Sequence, residues 1–463
     1  MGSLFYIEQG YRHRVVWDLM MKNNNRHFVK VNALLGLLLA TGAVQAATVY
    51  EQDGKTVEFN VEGMAGVFST NENYDGVDNG GNDWQEGYIK GDLVGRQATE
   101  NGTIYGGLGL IALGTGGDGD AGGYTSGDES EVKVENAFIG WQSRTGLFDL
   151  SIGRQAFTVG DGFILAGDAI SLGDMGISGV DVDRGGAYYL AGQKSFQQTA
   201  ILKVDPEGPL RSDLFWLQSD NPYHQDTELA GVNFEWVDET HGTLGLSYMS
   251  VLDVDQGAGF GLWDQREGMD VVSLRGQGSA GVENLFLSFE YVDEQGGDTA
   301  VKNDANAWYV EGGWTFADLP WSPTLNYRHA KFSGDDSATS DNEAFDPLFF
   351  GFTRGFGTWF QGEVASNYAG PANSGNDVDR LELLLQPRDD LTLGMQYWDF
   401  GKQDDAGDMS GHEVDLYALW SINDNVVFSP LIGYYTPDGS AVVANQANDD
   451  SNVYMQAVLM YFY

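Results

Sequence analysis

The chain ends VYMQAVLMYFY, Val453 to Tyr463, an alternating strand closed by a bare aromatic residue. Soluble domains rarely finish this way. The run resembles the C-terminal signal that the barrel-assembly machinery reads. Working back from it, the same period of two recurs. In Glu283 to Val292, Leu285, Leu287, Phe289 and Tyr291 share one face, Ser288 and Glu290 take the other, and Phe286 is an apolar exception. In Leu391 to Trp398, Leu391, Leu393, Met395 and Tyr397 oppose Thr392, Gly394 and Gln396. In His412 to Trp420, Val414, Leu416, Ala418 and Trp420 oppose Glu413, Asp415 and Tyr417. One apolar face per strand means half-buried strands. A soluble sandwich alternates too, so alternation alone does not place the chain in a membrane.

The connections add what alternation lacks. From Thr56 onward, strand candidates recur without a helical interruption, and short turns alternate with long loops. The short turns are Thr99 to Gly102, Arg144 to Gly146, Glu239 to His241, Ala317 to Leu319, Pro387 to Asp390 and Asn423 to Asp424. The long loops, rich in Gly, Asp, Asn and Ser, are Asn71 to Asp83, Thr115 to Ser130, Asp253 to Glu267, Ser333 to Gly375 and Pro437 to Asn452. Short periplasmic turns and long external loops mark a bacterial barrel. Parity holds if Gly186 to Val204 is one strand and Gly357 to Ser366 lies in an external loop. The expected fold is all-β: a single-chain transmembrane antiparallel β-barrel of about 18 strands, with 16 as the alternative. That width leaves an aqueous channel.

Composition agrees. The 463 residues include no cysteine, 64 glycines, 10 prolines, 13% aromatics and a net charge of -44. The aromatic content argues against disorder. The acidic excess argues against nucleic acid as a partner. Residues 21 to 46 read as a signal peptide: Lys22, Arg26 and Lys30 are basic, Ala33 to Val44 is apolar, and Val44-Gln45-Ala46 supplies the small residues for cleavage. The apolar run is too short to span hydrocarbon, which takes about 20 residues. Residues 1 to 20 read as an upstream extension, with Met20 or Met21 as the true start. Removing residues 1 to 46 takes away five bases and two acids and leaves 19 and 66, a net of -47.

With apolar residues toward lipid, Lys90, Arg96, Lys133, Arg211, Arg275, Arg328 and Arg380 face the lumen. So do Asp92, Glu135, Asp213, Glu235, Glu290, Glu311, Glu382, Glu413 and Asp415. A basic residue in mid-membrane lipid costs roughly 2–4 kcal/mol, which favours this assignment. These charges either line a polar eyelet that sorts solutes or pair to stiffen the wall. Gly153 to Asp183 carries Phe163, Ile164, Leu165, Ile170 and Leu172, which need a surface to pack on. It reads as a loop folded into the barrel, an inward loop near 155–183, with Asp161, Asp168 and Asp174 near the eyelet. Alternation would put Arg154 on the lipid face with Phe148, Leu150 and Ile152, so the strand must end or bulge there.

Two stretches carry a family resemblance. Glu135-Asn-Ala-Phe-Ile-Gly-Trp141 followed by Leu150-Ser-Ile-Gly-Arg-Gln155, and FDPLFFGFTRGFGTWFQGE from Phe345 to Glu363, resemble alginate-export-family outer-membrane porins. The resemblance implies a monomeric barrel of 18 strands, whose founding members pass an anionic uronate polymer through an arginine-rich constriction. It makes Arg154 and Arg354 candidate solute contacts. Nineteen bases, several of them in loops, depart from that arginine-rich pattern. The expected function is a porin for passive diffusion of small hydrophilic solutes, with anionic oligosaccharides such as uronates as the finer expectation. Expected partners are outer-membrane lipid and lipopolysaccharide, the assembly machinery and the solute.

Other chemistry finds little footing. After residue 46 the histidines are His224, His241, His329 and His412, none in an HExxH spacing, and no GxSxG elbow occurs. A barrel phospholipase would need a Ser–His pair at the lipid-facing rim, with His329 or His412 as base. No cofactor is expected. A calcium-binding adhesin is the remaining alternative, with Ca²⁺ held by Asp75, Asp78, Asn79 and Asp83 or by Asp118, Asp120, Asp128 and Glu129.

Overall fold

The computed structural model describes residues 47–74, 80–175, 179–351, 362–369, 374–402, 410–438 and 450–463. The signal peptide, the extension before it and Arg354 lie outside the described residues. The strands in chain order are β1 (Ala47–Gln52), β2 (Lys55–Thr70), β3 (Asp83–Thr99), β4 (Gly102–Gly117), β5 (Ser130–Ser143), β6 (Phe148–Ala156) and β7 (Ser195–Val204). Next come β8 (Leu210–Gln218), β9 (Glu228–Asp238), β10 (Gly242–Asp253), β11 (Met269–Gly278), β12 (Leu285–Gly296) and β13 (Asn303–Thr315). The last are β14 (Thr324–Phe332), β15 (Asn376–Arg388), β16 (Leu391–Lys402), β17 (Gly411–Asn423), β18 (Val426–Pro437) and β19 (Asn452–Phe462).

Each strand from β2 onward pairs antiparallel with the next, and β19 closes onto β2 with Tyr454 opposite Thr70 and Phe462 opposite Glu62. The result is a closed 18-strand barrel. Closure pairs both edges of each of these 18 strands, which a membrane requires of its spanning backbone. β1, which alternation did not reveal, pairs with β2 at residues 55–59, just beyond the end of β19. Connections at one end run from two to eight residues, and those at the other from six to 43.

The outer face is apolar. Leu287, Phe289 and Tyr291 on β12, and Leu393, Met395 and Tyr397 on β16, are exposed, while their neighbours Ser288, Glu290 and Gln396 are buried. Exposed apolar surface on this scale needs a hydrocarbon cover. Close packing within the wall rests on glycine at particular points. A Cβ at Gly394 would collide with the Tyr417 ring, which lies flat over it on the inner face.

Two expectations are corrected. Gly186 to Val204 is not one strand: only Ser195–Val204 is extended, and positive φ at Gly186, Ala187 and Ala191 turns the preceding chain. The connection from β6 to β7, described at 157–175 and 179–194, is therefore longer than the loop expected near 155–183. The connection 333–375 is not wholly external. Phe345, Leu348, Phe349 and Phe350 are buried with Phe163 and Leu165 against the inner wall of β7 to β14. Val364 and Ala365 pack on Trp398, Phe400 and Tyr435 across the barrel. The cause is the one that drives 157–194 inward: apolar side chains left over water would forfeit roughly 1.5–3 kcal/mol each.

Candidate functional site

The described parts of the β6–β7 connection reach opposite sides of the lumen. At its start, Phe163 sits 5.2 Å from Tyr309 and 5.8 Å from Phe332, centroid to centroid. Ala166 N donates to Phe349 O at 2.8 Å and Gly351 N to Gly162 O at 3.0 Å, so the two inward segments are zipped together. At its end the chain reaches the opposite wall. Ala187 N donates to Thr115 Oγ1 at 2.8 Å, Leu190 N to Glu86 Oε2 at 3.0 Å, and Lys194 N to Glu135 Oε1 at 2.8 Å.

The strand before it breaks where Arg154 required. The β6–β7 register shifts between Gly153 and Gln155, and Gly153 adopts φ +124. The bulge brings Arg154 to Asp220, with Nη1 donating at 2.6 Å and Nη2 at 3.4 Å. Asp220 also faces Arg184 at 3.5 Å, and Arg184 reaches Asp168 at 3.2 Å. Asp168 is fully buried and accepts from Ser219 at 2.7 Å and Asn221 at 2.8 Å. It is a knot between two loops, which corrects its reading as an eyelet carboxylate. Asp161 accepts from Tyr309 at 2.7 Å and so ties the segment to β13. Asp174 is exposed.

All the inward assignments fall on the inner face, but in two populations. On β9 to β17 the charges are engaged and buried. Arg275 donates to Glu235 at 2.9 Å and Ser247 at 2.8 Å. Arg380 pairs with Glu311 at 3.2 Å and Glu382 at 3.5 Å, and Arg328 lies 4.0 Å from Glu311. Both guanidinium groups flank the ring of Trp398, whose indole donates to Asp415. For Arg275, Arg328, Arg380, Glu311 and Glu382, burial corrects the expectation that they contact solute. These groups pair with one another inside the wall.

On β2 to β8 the basic side chains stay part-exposed, while the carboxylates Glu135 and Asp213 are buried. Lys90 sits 3.2 Å from Glu62 with a side chain 16% exposed, against 2% for Arg380. Lys133 pairs with Glu131 at 2.7 Å, and Arg211 with Asp205 at 3.2 Å near the short-turn end. Arg96 and Asp92 are part-exposed on the same face. Lys203 stands opposite Asp149 in register. Glu62, Lys194, Lys203, Asp149, Arg184 and Asp220 had not been singled out. Lys203 was recoverable from the alternation of its strand. The Arg184–Asp220 pair joins two loops, and no local pattern announces it.

The alternative chemistries can be placed too. His329 and His412 lie on the outer rim, where His329 meets Asp379 and Trp308 and His412 stacks on Tyr397. Asp75, Asp78 and Asn79 lie outside the described residues. In the second acidic loop, Asp120 accepts from Gly122 N, Tyr124 N and Thr125, and Glu129 from Ser126 and Gly127. Burial pushes Asp120 up to about 6.

Comparison with solved structures gives the same architecture. OccAB4 of Acinetobacter baumannii superposes with a TM-score of 0.58 at 10% identity, covering 88% of this chain and 98% of that one. The BenF-like porin of Pseudomonas fluorescens Pf-5 gives 0.57 at 10% identity over 88% and 98%. OccD3 (OpdP) of Pseudomonas aeruginosa gives 0.52 at 12% identity over 91% and 94%. No curated protein matches the chain. The family model described as alginate export matches residues 114–414, and with the outer-membrane porin fold already in place the chain belongs to the alginate export family.

Proposed function

We propose that this protein is a passive channel of the outer membrane, admitting small hydrophilic solutes, with anionic oligosaccharides such as uronates as the preferred class. The observation that carries this reading is the asymmetry of the inner wall. Among the described residues, the part-exposed cations of the inner face are Lys90, Arg96, Lys133, Arg154 and Arg211, joined by Lys194 and Lys203, and all lie on the β3 to β8 side or on the segment that crosses the lumen. Water-filled space along that side would offer an anion successive partners, each already shared with a nearby carboxylate. Shared partners bind weakly enough to release the solute again, and conduction needs that. The buried wall opposite supplies rigidity and takes no part in sorting. Outer-membrane lipid and lipopolysaccharide are the surroundings this reading requires, and a monomer is its working unit.

Liposome swelling tests the solute class. Vesicles carrying the mature protein should swell faster in oligouronates than in neutral oligosaccharides of equal length. Lys90→Glu and Arg211→Glu should narrow that difference. Equal rates for both classes, unchanged by the two substitutions, would reject the anionic preference.

A further inference from the structure

On the outer face, away from the lumen, three side chains converge near the external rim. His329 on β14 places Nδ1 3.0 Å from Asp379 Oδ1 and 3.5 Å from Asp377 Oδ1, both on β15. One donor atom from each lies within 4.8 Å of the others. All three share the face of Leu325, Tyr327 and Leu381, which are exposed apolar side chains of the same two strands. Antiparallel pairing fixes the set, since His329 is directly opposite Asp379 and Lys331 is opposite Asp377.

The surroundings are those of a held donor set, distinct from a solvated acidic patch. The Tyr327 hydroxyl donates to Asp379 and orients it. Trp308 packs its ring 5.1 Å from the imidazole. The row continues with Asp399 opposite Asp379 and His412 opposite Asp399, so imidazole, carboxylate, carboxylate and imidazole stand in line across β14 to β17. Two carboxylates directly opposite one another on a sheet are mutually repulsive. A cation held at Asp379 would relieve that repulsion. In the register Lys331 is directly opposite Asp377. An imidazole with two carboxylates suits a zinc-class divalent metal better than calcium or magnesium, which take oxygen alone.

We propose that His329, Asp377 and Asp379 form a binding site for a zinc-class divalent metal ion on the outer rim of the barrel. The ion clips β14 to β15 at the level of the headgroups, with water in its remaining positions. Tyr327 is a positioning residue, holding Asp379 through its hydroxyl. The pore does not depend on the site.

The test uses the full mature chain, without a histidine tag, folded in detergent micelles and titrated with Co²⁺. The expected result is a saturable visible spectrum at one equivalent, displaced by Zn²⁺. His329→Ala and Asp379→Asn should abolish it, and Tyr327→Phe should weaken affinity by about tenfold, as loss of an orienting partner does. Channel conductance should stay unchanged in all three, which also shows that the variants fold. No saturable spectrum, or a spectrum that survives His329→Ala, overturns the proposal. So does a spectrum that His412→Ala removes and His329→Ala does not.

Discussion

Arg275 and Lys90 both carry positive charge toward the barrel interior, and their surroundings give them different work. Arg275 is buried between Glu235, Ser247 and Asn233. Gly160 leaves room for the end of its stem and Gly245 for its guanidinium. Removing one partner of a buried pair leaves the other charge uncompensated, so Arg275→Met should cost about 3–5 kcal/mol. Urea unfolding in detergent reads that loss, and ion selectivity should hardly move. Lys90 stays part-exposed beside Glu62, so Lys90→Met should cost about 1 kcal/mol or less. Its effect should appear as a shift of reversal potential toward cation selectivity. If the two variants behaved alike in both measurements, the division of the wall into a rigid side and a sorting side would be wrong.

At the scale of elements, the inward segments are held by few, specific ties. Gly153 is extended into a positive-φ bulge, with the Ala137 carbonyl packed where a Cβ would stand. Gly153→Val should cost about 1–3 kcal/mol in strain and displace Arg154 from Asp220. Greater current noise in bilayers would report the loosened loop. The second inward segment is tied at Arg266, which donates to Asp346 through Nε and Nη2, both at 2.6 Å, with His224 3.3 Å from its Nη1. Burial, reinforced by Arg266 and Arg184, holds His224 well below the usual imidazole range. A histidine buried neutral contributes stability above its unfolded value, near 6.5, and that stability is lost as pH falls below it. Protection of residues 345–350 against hydrogen exchange should therefore weaken between neutral pH and pH 5. His224→Gln should flatten that dependence, and an equally steep dependence in the variant would rule His224 out as its source.

These same elements show how far the sequence could be read. Alternation in Leu285 to Tyr291 and in Leu391 to Tyr397 named the lipid face correctly, because a one-residue slip would bury the wrong set. The apolar run at Phe163 to Leu165 betrayed an inward segment. The equivalent run at Phe345 to Phe350 carried the same signal, but it sits in a connection of 43 residues that looked external from its Asp, Asn and Ser content. The charged site was legible only in direction. Alternation placed Arg380 and Lys90 on the inner face alike. It could not show that Trp398 and Glu311 would enclose one and leave the other open. Those contacts depend on strand register and on loops that return from far along the chain.

The whole molecule is a closed barrel with segments of its own loops packed against the inner wall, and everything said of function requires that the remaining space conducts. Single-channel recording of refolded mature protein in a planar bilayer is the most direct test. An open pore beside the β2 to β8 wall should give steady conductance, reduced in steps when oligouronates are added and much less by neutral oligosaccharides. No conductance from protein shown to be folded and inserted would contradict an open pore and make the inward segments a plug.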